Sequence, residues 1–222
     1  MLEKIAIWFL LFMFYSFAGW LMEVCISLIN HKKFINRGFL VGPICPIYGT
    51  GAVTISLLLN QTENPLAIFC VALVGGAVLE YGASFIMEKL FHVRWWDYSE
   101  KAININGRIC MSSVLSFGLA GILIVEVTTP FFYGLFDSLY SPILLMVAAI
   151  LFAWLICDII LSLWLMFGVR ITADITQADA TEEISHRAQK VLASNNKKVK
   201  KKLNNRLEKA FPNKQPSGKH KK

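Results

Sequence analysis

Four near-continuous apolar runs, 5–28, 65–91, 109–127 and 142–169, dominate this chain, and a shorter fifth covers 45–59. At ~1.5 Å of helical rise per residue, each long run reaches most or all of the way across a ~30 Å hydrocarbon core. A soluble domain buries its core with amphipathic helices and has no need of several such runs. Only helices and closed barrels satisfy their backbone polar groups inside lipid. The expectation is therefore an all-α, polytopic membrane helix bundle of about five transmembrane segments. The first run reads as a retained span rather than a cleaved leader. It is long for a leader's apolar core, and Trp20 and Glu23 stand where small residues would be needed.

The charge is unevenly placed. Of 22 Lys and Arg, 13 fall in 187–222 with Glu208 as the only acid there, so the net charge of +7 hides an acidic body and a basic tail. Basic residues also alternate between successive connections. Lys32, Lys33 and Arg37 follow the first run, and Lys89, Arg94, Lys101 and Arg108 follow the third. The second and fourth connections have none. By the positive-inside rule the N-terminus lies outside and the C-terminal tail in the cytoplasm. Trp95, Trp96 and Tyr98 suit an aromatic belt at the inner interface, and Phe131, Phe132, Tyr133 and Tyr140 one at the outer.

The domain reading is a transmembrane domain over 1–170, a cytoplasmic basic amphipathic helix over 171–211 and a disordered basic tail over 212–222. Ile184, Val191, Leu203 and Leu207 belong to a narrow apolar stripe on that helix. A basic helix of this kind lies on anionic lipid headgroups or binds a partner. Nucleic acid is not expected, because no aromatic residues interleave the basic ones.

The connection NRGFLVGPICPIYG, 36–49, packs helix-breaking residues against the start of the second run. Pro46 suits a first helical turn, and a helix from there to Asn60 rises only ~22 Å. The second span is therefore expected to be discontinuous, with GFLVGPI as irregular backbone at membrane depth. Such backbone is tolerated only where protein buries it or it lines a wet cavity. Arg37 adds a positive charge beside it.

Three spans carry an acid on the same side of the midplane: Glu23, Glu80 and Asp158. Intramembrane carboxyl groups are costly in lipid and normally face the bundle interior. The third connection adds Asp97, Asn106 and Arg108 at the same leaflet, and Tyr48 opens the second span. Two readings stay open. One is a set of buried ion pairs that fix helix register. The other is an inner-leaflet cavity lined by Glu23, Arg37, Tyr48, Glu80, Asp97, Asn106, Arg108 and Asp158, which takes a cation, an amphiphile or a lipid headgroup. No catalytic residue is assigned. All four histidines lie in connections or the tail, the five cysteines form no CxxC pair, and no metal-ligand spacing appears. No GxxxxGK[ST] occurs, so no P-loop chemistry resides in this chain and no cofactor is expected.

The stretches YSFAGWLMEV (15–24), NRGFLVGPICPIYG (36–49), LEYGASFIMEKLF (79–91) and WWDYSEKAININGRIC (95–110) resemble the bacterial ABC-transporter permease family called CmpB-like or type IV. The resemblance covers the first half of the chain, with only hydropathy in common beyond it. It implies a multi-pass protein of the bacterial plasma membrane that acts as a permease subunit. It further implies a separate ATPase and either a homo-oligomer or a second membrane subunit. It carries over no catalytic residues. Two other functions stay open: a membrane enzyme or binding protein for a lipid-linked substrate, and a scaffold recruiting a partner through the basic tail. For an enzyme, Glu80 or Asp158 would be the base, with Tyr48 or Arg108 stabilising charge.

Overall fold

A computed structural model describes residues 1–32, 38–59, 62, 64–91 and 94–168. Arg37 and the tail read as 171–222 lie outside the described residues. The chain runs α1 (Leu2–His31), α2 (Pro46–Leu59), α3 (Pro65–Phe91), a small ladder of β1 (Asn104–Ile105) and β2 (Ile109–Cys110), then α4 (Met111–Leu123), α5 (Thr129–Asp137) and α6 (Ser141–Gly168). The architecture is thus mostly helical rather than purely so.

Among the described residues, four helical segments are long and apolar enough to cross a membrane: Leu2–Ile29, Pro65–Leu90, Met111–Asp137 and Ser141–Trp164. The second apolar run forms a helix of only 14 residues, about 21 Å of rise. Residues 38–45 ahead of it are non-helical. Pro46 takes the first position of α2, and the Cys45 N–H donates to the Ser16 carbonyl at 2.9 Å, which pins this start to the middle of α1.

The other helix starts also follow from local chemistry. Asn64 places its side-chain oxygen 3.0 Å from the Leu66 N–H, with Pro65 in the first turn where no N–H is needed. At the head of α4 the Ser113 hydroxyl accepts the Cys110 N–H at 3.3 Å. The third span departs from the expected run. Instead of ending near Val127, it passes through a π-helical turn, Ile124–Thr128, and continues as α5 to Asp137. Pro130 removes one backbone donor, and the wider turn takes up the register change at the start of the new helix. Phe132 and Tyr133, half-buried, pack against Phe14 and Trp8, at 4.0 and 5.6 Å between ring centroids.

The core forms around α1. Ile7, Leu10, Leu11 and Tyr15 pack with Ala52 of α2 and with Leu144 and Ala148 of α6. A second cluster joins Met13 to Leu40 and Ile44 of the non-helical segment and to Leu155 of α6. On the far side α3 and α4 interlock through small residues. A Cβ at Gly76 would fall on the Phe117 ring, one at Gly118 on Phe69, and one at Gly121 on the Ala72 methyl. In lipid, where apolar burial between helices gains little, such close backbone approach is a main source of association.

Candidate functional site

The described polar residues singled out in the sequence fall into four groups. In the first, Glu23 of α1 accepts a hydrogen bond from the Tyr48 hydroxyl of α2 at 2.5 Å. Gly19, one turn before Glu23, makes this possible, because a side chain there would occupy the space of the Tyr48 ring. In the second, Glu80 of α3 accepts from the Tyr98 hydroxyl at 3.1 Å and from the Ser113 hydroxyl of α4 at 2.8 Å. Glu80 is only 6% exposed, so these two neutral donors sit against a carboxyl group almost removed from solvent. The two carboxyl–phenol pairs are near enough for Glu23 to act electrostatically on both Glu80 and Tyr98. Burial, and after it the neighbouring Glu80 charge, raises the Tyr98 phenol above its ordinary value, so it stays a donor.

The third group holds the non-helical segment. Both carboxylate oxygens of Asp158 accept from the Gly42 N–H, at 3.1 and 3.0 Å, and the Ser162 hydroxyl accepts from the Val41 N–H at 3.0 Å. Backbone outside a helix or ladder needs such partners when it is taken out of water. Glycine is required at position 42, because a Cβ would meet an Asp158 oxygen at 2.6 Å and the Trp154 ring at 2.9 Å.

The fourth group fastens the third connection along α3. Arg108 donates from Nη1 to Glu88 at 2.7 Å, and its guanidinium lies over the Tyr81 and Phe85 rings at 5.6 and 5.4 Å. Arg94 donates to the same Glu88 oxygen at 3.1 Å. Asn106 donates to the Tyr81 hydroxyl at 3.1 Å, and its carbonyl accepts from Arg94. Asp97 is exposed and accepts from the Ser99 hydroxyl and N–H, which holds its carboxyl below the usual range. Asn106 and Gly107 both have positive φ, 53° and 66°, as a tight turn between the two strands requires.

The structure therefore brings Glu23, Tyr48 and Glu80 into one neighbourhood. It places Asp158 on the backbone of 41–42, and it sets Arg108 on Glu88 rather than on Glu80. Asp97 and Asn106 lie in the third connection, and Arg37 is outside the described residues. Sequence reasoning did not single out Glu88, Arg94, Ser113 or Tyr98 as partners. The signal that could have found the hairpin is the Asn106-Gly107 pair, which suits a tight turn with positive φ. Equally unforeseen is a hydroxyl network at the π turn: Tyr15 bonds to Thr128 and Thr129 at 2.8 and 2.7 Å, and Ser56 to Thr129 at 2.9 Å.

Chemically, Glu80 with its hydroxyl donors can hold a proton or receive a solute that donates hydrogen bonds or carries positive charge. Among the described residues, no group of three or more His, Cys, Asp or Glu side chains stands close enough to hold a metal ion. In comparisons with known proteins, the family described as "Putative ABC-transporter type IV" matches residues 10–163. No curated protein and no solved structure matches the chain.

Proposed function

Because the chain belongs to the family described as "Putative ABC-transporter type IV" and is a multi-pass membrane protein, we propose that it is the membrane subunit of a transporter that works with a separate ATPase. The observation that carries this reading is the pair of part-buried acid–phenol contacts, Glu23–Tyr48 and Glu80–Tyr98, among apolar helices and next to the non-helical segment before α2. Intramembrane acids mark solute and ion pathways more often than they mark stability, since burying them is costly. Discontinuous spans are a recurring place for solute binding. The transported solute would meet Glu23, Tyr48 and Glu80, with Arg37, Asp97, Asn106 and Arg108 toward the membrane surface. Asp158 would hold the broken segment in place.

The basic connections and the tail would face the cytoplasm of a bacterial cell, where the tail meets anionic headgroups and the connections meet the ATPase. A homo-oligomer or a second membrane subunit would complete the pathway. Native mass spectrometry of the protein extracted gently from its own membrane tests the reading. A co-purifying ATPase is the expected result. A homo-oligomer that carries a defined lipid and no ATPase would overturn it in favour of lipid handling.

A further inference from the structure

The connection between α3 and α4 does not project away from the bundle. Tyr98 reaches Glu80, Asn106 reaches Tyr81, and Arg108 reaches Ser84 and Glu88. These anchors run from Glu80 to Glu88 of α3, about 12 Å of helical rise, and all lie within the apolar segment Pro65–Leu90. The hairpin thus runs alongside the last turns of a membrane-spanning helix. At that same level α3 exposes Ile86 and Leu90, and the hairpin exposes Ile103 at 71% and Ile105 at 57%.

Ile103 is tied to the membrane boundary by the backbone as well. Its carbonyl accepts the N–H of Met111, the first residue of α4, at 3.0 Å, and Met111 is itself exposed. Ile103 holds φ at +55° to do this. That conformation is a true outlier for a β-branched residue, because its Cβ crowds the backbone there. The strained residue caps the start of a span while its large apolar side chain stays uncovered by protein. Trp96 steadies the arrangement by donating to the Arg108 carbonyl at 3.0 Å.

We propose that the 94–110 hairpin is embedded in the membrane interface, with Ile103 and Ile105 seated in the glycerol and upper acyl region of the adjacent phospholipids. The occupant is lipid rather than a soluble partner. The exposed isoleucines sit on a connection bonded to α3 between Glu80 and Glu88 and, through the Ile103 carbonyl, to the exposed Met111 that opens α4. Lys101 stands two residues before Ile103 and is exposed, suited to a lipid phosphate. The inference rests on the membrane-spanning reading of α3 and is independent of transport.

The test is the depth of a probe at these positions. In the full chain, with the exposed Cys25, Cys70 and Cys157 replaced by alanine, Ile105→Cys and separately Ile103→Cys are labelled with bimane. Each protein is reconstituted in vesicles of phosphatidylcholine and phosphatidylglycerol. Glu100→Cys, at an exposed position, serves as the water-facing reference. Lipids bearing a doxyl group at carbon 5 are expected to quench the two isoleucine-site probes several-fold more than the reference, and iodide several-fold less. Strong iodide quenching without doxyl quenching at both sites overturns the proposal. Iodide quenching that disappears only when a soluble protein is added would assign the patch to that protein instead. Using two labelled sites guards against one substitution disturbing the hairpin.

Discussion

The two carboxylate oxygens of Asp158 accept hydrogen bonds from the single N–H of Gly42, 116 residues away in sequence. This contact, with Ser162 on Val41, joins α6 to the non-helical segment 38–45 that precedes the short helix α2. Replacing Asp158 by alanine takes the side-chain acceptor from that half-buried N–H, at a cost of about 1 kcal/mol. The expected result is a lower midpoint of thermal unfolding in detergent, with faster proteolysis within 38–45. An unchanged cleavage pattern would show that the segment is held by its apolar contacts alone.

Gly42→Ala tests the same contact from the other side. The added methyl meets both Asp158 and Trp154, and overpacking of this kind costs ~1–3 kcal/mol. The double variant Gly42→Ala with Asp158→Ala should lose less than the sum of the two single variants, because both act on one contact. Additive losses in thermal unfolding would separate the two sites.

Tyr98 and Ser113 donate to different oxygens of Glu80, so Glu80→Gln keeps one acceptor, puts an NH2 that the other hydroxyl can accept from in place of the second, and removes the negative charge. The variant should insert and unfold like the parent. Stimulation of a co-purified ATPase by the membrane subunit should be lost. Full stimulation from a well-folded Glu80→Gln protein would remove Glu80 from the solute pathway.

The glycines of α3 and α4 should behave oppositely according to what faces them. Gly121→Ala drives a methyl into Ala72, so α3 and α4 must separate. A destabilisation of about 1–3 kcal/mol is expected from such overpacking. Gly75 faces open space, and Gly75→Ala should be neutral or gain up to ~1 kcal/mol from helix propensity. Thermal melts of the two variants side by side decide the matter; equal effects would contradict the interlocked packing.

Asp97 supplies a pH dependence. Its carboxyl is held below the ordinary 3.8, first by the Ser99 hydroxyl and, within the turn, by the Ser99 N–H. A depressed carboxylate contributes its ordering above the unfolded value and loses it as pH falls through the folded one. The 97–99 turn should therefore stay ordered at pH 5 and loosen below pH 3.8. Hydrogen exchange at the Ser99 amide, corrected for its intrinsic rate, reads this directly, and Asp97→Ala should remove the dependence.

Much of the architecture was legible in the sequence because hydropathy and helix punctuation are local. Runs such as 65–91 announce a span by length and composition, and Asn64-Pro65 and Pro46 mark helix starts whatever surrounds them. The shortness of the second apolar helix also followed from counting residues. The third long helix was read too short, since Pro130 looks like a stop in one dimension. Only the hydroxyls of Tyr15 and Ser56, brought in from α1 and α2, reveal why the chain continues through a π turn there.

What the sequence determined by itself was therefore the solvent of this protein and the presence of acids within its spans. Which groups those acids meet was decided by tertiary structure alone. Glu23, Glu80 and Asp158 look equivalent along the chain, each a lone carboxyl group in an apolar run. Helix rotation and packing distribute them to a phenol, to a phenol with a serine hydroxyl, and to backbone N–H groups respectively. Arg108 likewise lies within reach of several acids, and the turn at Asn106-Gly107 delivers it to Glu88. The reason is physical. Burial cost depends on residue type and can be read locally, whereas a partner depends on which faces of distant helices are pressed together.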